Sequence, residues 1–300
     1  RGKKGQPKIN QDILIGLIAK IKMDKKTLTF IGFNQGQYGD LFIQLVPAKM
    51  LKSIYDGCRV ILSVNKKYED IIDVLKLSEY IDDFIVWDGY DDWPTEKDKQ
   101  KMSELGAEFG RFFNPMQKNS VLDWHNYWHI TEEACVRFGL PRPADHIQDF
   151  KISRPNLGKE NTVCIAASSS GKVKSFTEQQ IETIKKFCKK KDLEPILLGG
   201  PEDKAVDGIE KFEGNYSESV FKMIKSRFLV SADTGMVWAA SAFSHHVLGL
   251  YCMDSETKAS SHKNWTPKNK NQKTIVSKSM ADITEKILEE ELEEAYIYSK

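Results

Sequence analysis

The chain has 300 residues, 40% of them hydrophobic and 10% aromatic, and its 44 basic and 43 acidic residues leave a formal net charge of +1. At roughly 150 residues per domain this is material for about two cored domains, and the aromatic content excludes a largely disordered chain. The charge balance argues against general nucleic-acid binding, which needs a basic excess or stripe.

No run of 18 apolar residues occurs, so no transmembrane helix is expected. Arg1–Lys8 is followed by a segment broken by Asp12 and Lys20, which does not read as a signal peptide. The five cysteines (Cys58, Cys135, Cys164, Cys188 and Cys252) are odd in number, widely spaced and without a CxxC pair. They read as reduced, mostly buried thiols of a reducing compartment, which points to the cytoplasm.

Residues 1–26 form a basic N-terminal arm around a short apolar stretch, Ile13–Ile18. Thr27–Phe33 is rich in β-branched and aromatic residues and predicts a strand. Asn34–Asp40 is a polar, glycine-containing loop. Leu41, Leu45, Ala48 and Leu51 recur at helical spacing, so Leu41–Asp56 predicts a helix, with a kink or uneven start at Pro47. Arg59–Val64 predicts the next strand, Tyr68–Leu75 a helix and Phe84–Trp87 a third strand. Asp123–Phe138 reads as an aromatic-rich helix. Leu140–Glu160, punctuated by Pro141, Pro143 and Pro155, is the expected domain linker. The alternation restarts with a strand at Thr162–Ala167, a loop at Ser168–Ser175 and a helix opened by the Thr177/Gln180 capping box. Pro195–Leu198, Phe228–Ser231 and Val247–Tyr251 predict further strands, and Ser217–Arg227 a helix. Lys263–Lys273 reads as a basic loop, and Ala281–Tyr296 as an acidic terminal helix. Strand–helix alternation of this kind predicts parallel sheets covered by helices. The expected division is an N-terminal Rossmann-like domain over 27–150, a second over 161–280 and a terminal helix over 281–300.

Ligands of doubly wound sheets bind outside the carboxyl ends of the strands. Four loops qualify: Asn34–Asp40, Ser168–Ser175, Gly199–Asp203 and Ala232–Val237. Asp40, after Gly39 at the opening of a helix, reads equally as an N-cap and as a carboxylate able to take a proton from a hydroxyl. Lys172 and Lys174 sit in a serine-rich loop, and Lys174, just before the helix, is the better phosphate contact. The loop lacks the GxxxxGK[ST] spacing of a Walker A motif. The turn Asp233-Thr234-Gly235 precedes a helix of small residues, where free N–H groups can hold an anion. An ordinary capped crossover would read the same way. Glu202 or Asp203 can accept from ribose hydroxyls. His125 and His129 lie four residues apart but have no HExxH pattern and no third ligand, so no metal site is expected, and no cofactor.

These residues in this order resemble glycosyltransferase family 9, the ADP-heptose:lipopolysaccharide heptosyltransferase-like family. The resemblance runs from about Thr27 to about Val276. It rests on Lys174-Ser175-Phe176, on Gly199-Gly200-Pro201-Glu202-Asp203, on Asp233-Thr234-Gly235, and on Gly39-Asp40 with the following helix and its Pro47. It implies an α/β GT-B fold, two Rossmann-like domains facing across a cleft, with a nucleotide-sugar donor held mainly by the C-terminal half. It implies inverting transfer to a glycan or glycolipid acceptor without a required metal. Asp40 then looks like the general base, Lys174, Thr234 and Gly235 like diphosphate contacts, with Asp233 beside them, and Glu202 or Asp203 like the ribose contact. The terminal helix of such folds often crosses back to the first domain. One position departs from the family: Trp238 stands where it commonly has histidine, and an indole offers one donor and no acceptor. A GT-B module that has lost catalysis, and a nucleotide-sugar epimerase of the same fold, are the competing readings. With a lipid-linked acceptor, the basic N-terminal arm would make a peripheral membrane contact.

Overall fold

The computed structural model describes residues 29–33, 37–87, 100, 104, 130–137, 140–141, 150–169, 174–200, 203, 205–252, 266–267 and 270–299. The N-terminal arm, Lys172, Glu202, His125 and His129 lie outside them, as does most of the loop that precedes Tyr38.

The N-terminal half is a three-stranded parallel sheet in the order β1 (Thr29–Phe33), β2 (Arg59–Asn65), β3 (Asp83–Trp87). The predicted single helix over 41–56 is two helices, α1 (Tyr38–Ile43) and α2 (Leu45–Ile54). Pro47 is the reason. It has no N–H to donate to the carbonyl of Ile43, so the first helix stops there. In α2 the same proline falls in the first turn, where a missing donor costs nothing. The first half of the segment expected as a helix over 68–75 belongs to a tighter 3-10 turn, Lys66–Ile71, capped by Asn65, whose side chain accepts from the Lys67 N–H at 2.9 Å. It runs into the one-turn helix α3 (Ile72–Leu75). Only Ile130–Arg137, α4, is described of the helix expected over 123–138, and it packs against α2.

The C-terminal half is a six-stranded, all-parallel sheet. Its strands are β4 (Thr162–Ala166), β5 (Glu194–Leu198), β6 (Glu210–Phe212), β7 (Phe228–Ala232), β8 (Val247–Cys252) and β9 (Gln272–Ser277), in the spatial order β6-β5-β4-β7-β8-β9. Strands β4, β7 and β8 are buried along their whole length, as strands covered on both faces must be. Helices α5 (Glu178–Lys190), α6 (Tyr216–Lys225) and α7 (Gly235–Ala242) follow β4, β6 and β7. The Thr177/Gln180 capping box forms as read from the sequence, Thr177 N–H reaching Gln180 Oε1 at 2.9 Å and Gln180 N–H reaching Thr177 Oγ1 at 3.3 Å.

Among the described residues two large apolar cores result, beside a small cluster of Ile61, Ile85 and Trp87. Residues on one face of the large sheet, Val163, Ile165, Phe228 and Val230, pack with Ile184 and Phe187 of α5 and with the terminal helix α8 (Glu285–Tyr298) through Leu288, Leu292 and Ala295. The other core takes Cys164, Leu229, α6 and α7, and continues without a break into α1, α2 and β2 of the N-terminal half. The halves are therefore joined by apolar packing at their base. The terminal helix expected to cross to the first half is α8; among the described residues it packs on α5 and β8, with Lys186 on Glu285 at 3.2 Å and Lys191 on Glu293 at 2.7 Å. The far end of the expected linker is bonded to the C-terminal half. Ile152 N–H bonds the Ala242 carbonyl at 2.7 Å, and Glu160 N–H that of Lys225 at 2.8 Å. All five cysteines are buried and unbridged.

Candidate functional site

The strand order locates the site. From β4 the chain winds outward through β5 to β6, then returns to β7 on the other flank of β4, so the winding reverses between β4 and β7. A reversal splays the two following loops apart and opens a crevice at the strands' carboxyl ends. Lys174 stands in the loop after β4 and Asp233 directly after β7. They bridge that crevice, with Lys174 Nζ 3.1 Å from Asp233 Oδ2 and the two side chains 27% and 26% exposed. Ser169 Oγ donates to the Asp233 carbonyl at 2.9 Å, and Ser169 N–H to Ser175 Oγ at 3.1 Å, so both loops are fixed to each other.

Thr234 is the N-cap of α7. Its hydroxyl accepts from Met236 N–H at 3.2 Å and lies 3.1 Å from Ser231 Oγ. Gly235 is the first helical residue. Asp233, Thr234 and Gly235 are all half-buried, at the positive end of α7 and against the first half.

Opposite stands the start of α1. A methyl group on Gly39 would come 3.3 Å from Gly235 Cα and 3.3 Å from Trp238 Cδ1. One on Gly235 would come 2.9 Å from the Gly39 nitrogen and 3.2 Å from Tyr38 Cβ. Two glycines thus meet across the boundary, and only residues without a Cβ allow that approach. Trp238 lies beneath the contact, 5% exposed, its indole stacked at 6.2 Å on Phe150.

Asp40 follows Gly39. It is the third residue of α1 rather than its N-cap, a place taken by Gln37, and its Oδ2 accepts the Gln37 N–H at 2.7 Å. Loss of water raises the carboxyl to about 6, against the lowering effect of that one backbone donor. A carboxylate tuned near neutrality, with one lone pair set directed by a backbone bond, is suited to take a proton.

A tyrosine pair flanks the meeting point. The rings of Tyr38 and Tyr216 stack at 3.8 Å, with 2° between their planes. Asp70, from the 3-10 turn of the N-terminal half, holds both. Its Oδ1 accepts the Tyr38 hydroxyl at 2.9 Å and its Oδ2 the Tyr216 N–H at 2.7 Å, while its carbonyl accepts the Ser217 hydroxyl. The Tyr216 hydroxyl itself is buried, 3.1 Å from where a Gly235 methyl would sit, and has no hydrogen-bond partner among the described residues. Burial, with Tyr38 and Asp70 nearby, pushes its pKa well up, so it stays protonated.

The structure therefore brings Asp40, Lys174, Asp233, Thr234, Gly235 and Trp238 into one contiguous region. Asp203 is engaged elsewhere: its Oδ2 accepts Gly200 N–H at 2.7 Å, and its carbonyl accepts Lys211 Nζ at 2.7 Å, which braces its own loop. Tyr38, Asp70, Phe150 and Tyr216 were not singled out from the sequence. Asn215 and Glu218 do form a capping box that marks the start of α6, but nothing local marks Tyr216 as facing Tyr38. Among the described residues no group of three or more His, Cys, Asp or Glu is placed to hold a metal ion, and no helix is long and apolar enough to cross a membrane.

No protein-family model and no curated protein matches the chain. Solved structures do. A family 9 glycosyl transferase from Veillonella parvula superposes with a TM-score of 0.71 at 11% identity, covering 91% of this chain and 98% of that one. E. coli ADP-heptose LPS heptosyltransferase II gives 0.65 at 14% identity, with 91% and 99% covered. E. coli heptosyltransferase WaaC with ADP gives 0.64 at 12% identity, with 90% and 100% covered. Two parallel Rossmann-like halves, winding reversed between β4 and β7 and joined through α1 and α7, are the GT-B fold of the family 9 glycosyltransferases and ADP-heptose heptosyltransferases.

Proposed function

We propose that the chain is an inverting glycosyltransferase that moves a sugar from a nucleoside-diphosphate donor to a hydroxyl of a glycan or glycolipid acceptor. The observation that carries this reading is the Gly39–Gly235 contact. It brings the start of α1, where burial raises the Asp40 carboxyl, against the start of α7; in this reading a base from one half then serves an anion held by the other. Solved neighbours that carry ADP or an ADP-sugar analogue support the donor class.

In this reading Asp40 takes the proton of the acceptor hydroxyl as its oxygen attacks the anomeric carbon. The bond from that carbon to the diphosphate breaks, and the nucleoside diphosphate leaves. Its new charge falls on the Gly235 N–H, the Thr234 hydroxyl and Lys174, which exchanges Asp233 for phosphate. Donors already fixed by Thr234 capping and by Ser169 need little reorganisation, which makes such stabilisation effective. Glu202 or Asp203 is the ribose contact of this proposal. For Asp203 that requires its free oxygen, since the other is bound to Gly200.

The test is a thermal-shift scan with ADP-, UDP-, GDP- and CMP-sugars, followed by turnover assays with whichever binds. Asp40→Ala should lose about 10²–10⁴-fold in turnover while keeping the ligand-induced shift. Full turnover in that variant removes Asp40 from the chemistry. A second reading, a GT-B module that binds or assembles without catalysis, is favoured by one observation: Tyr38, Tyr216 and Gly39 pack directly on Gly235. A scan with no shift for any nucleotide sugar would select it.

A further inference from the structure

Tyr38 and Tyr216 are the same residue type, stacked face to face, yet among the described residues only one hydroxyl has a partner. That of Tyr38 is held by Asp70 at 2.9 Å. That of Tyr216 is buried against the opening of α7 and unpartnered among the described residues. Buried hydroxyls nearly always find a partner, because an unmade hydrogen bond away from water is costly. A ring that needed only to stack would be served by phenylalanine without that cost.

We propose that the Tyr216 hydroxyl donates a hydrogen bond to a phosphate oxygen of a nucleoside diphosphate seated at the N-terminus of α7. The inference rests on the function proposed above and adds a residue to its site. Tyr216 and Gly235 both belong to the C-terminal half, so hydroxyl and helix end form one preassembled pair. Gly39 and Tyr38, which cover them, belong to the other half. Parting Gly39 and Tyr38 from them uncovers both donors together, and also releases the Tyr216 N–H and the Ser217 hydroxyl from Asp70 of the first half. The protonated phenol is a donor at neutral pH. Trp238 cannot take this part, since its indole lies under Gly39 and against Phe150.

The experiment compares wild type, Tyr216→Phe and Tyr38→Phe by apo melting temperature and by calorimetric titration with ADP, UDP, GDP and inorganic pyrophosphate. Tyr216→Phe keeps the stacked ring and removes only the spare hydroxyl. Its apo melting temperature should equal or exceed that of wild type, while its affinity for the best-bound ligand falls about tenfold or more, as expected for a hydrogen bond to a charged acceptor. Tyr38→Phe, which breaks a bond to Asp70, should melt lower and keep that affinity within about twofold. Wild-type binding with unchanged affinity in Tyr216→Phe overturns the inference and leaves the function standing. A lowered apo melting temperature in Tyr216→Phe also overturns it, because the hydroxyl would then have a structural partner. Failure of wild type to bind any of the four probes overturns both.

Discussion

The two helix openings that meet at the domain boundary are built alike and equipped differently. α1 begins with Asp40 turned back onto the Gln37 N–H, and α7 begins with Thr234 turned onto the Met236 N–H. Both satisfy a donor that the helix cannot. The first does so with a group that titrates, held near pH 6 by loss of water. The second uses a neutral hydroxyl, which leaves the positive helix end uncompensated except for the nearby Asp233, itself drawn to Lys174. The same local problem is thus met with a carboxyl on one side and a hydroxyl on the other, which the function proposed above uses as proton acceptor and anion site. Two glycines let the two helix openings stand against each other.

The comparison can be broken most severely at its base. Trp238→Ala removes the buried indole beneath Gly39 and should cost about 3–5 kcal/mol, read as a lowered midpoint in urea unfolding. A loss below about 1 kcal/mol would mean that the two openings are not held together through this residue. Gly235→Ala should cost less, about 1–3 kcal/mol, because the added methyl meets the Gly39 nitrogen at 2.9 Å and backbone cannot yield as a side chain can. An unchanged midpoint would show the halves free to part. A pH-dependent effect sharpens the contrast in chemistry. Asp40 binds its proton more tightly folded than unfolded, since its pKa rises from 3.8 to about 6. Between those values the native state carries more protons, so the group's contribution falls as pH climbs from about 4 to 6. Asp40→Asn, which can still accept from Gln37, should therefore be more stable than wild type at pH 7 and equal to it near pH 3. A difference that persists at pH 3 would place its origin in the cap rather than in the charge.

Much of this architecture was legible along the chain. β4, β7 and β8 are continuous apolar runs because both faces are covered, and such runs stand out without knowledge of their neighbours. β9 and β6 did not stand out. β9, Gln272–Ser277, is a half-exposed edge strand with lysine and glutamine in it, and β6 is three residues long. Their strand character comes from pairing with β8 and β5, which no local pattern records. Pro47 announced a disturbance in the first helix but not that the chain would restart as a second one.

Sequence alone determined the alternation of strands and helices, the capping box at Thr177, and the turns around Lys174 and Thr234, because periodicity and capping act over a few residues. Only the tertiary structure decided that Gly39 meets Gly235, that Trp238 is buried, that Asp70 grips both halves, and that one of two stacked tyrosines has a buried hydroxyl without a partner among the described residues. Those are contacts between segments far apart in the chain. Residue identity fixes what each segment can do, but only packing fixes which other segment it does it to.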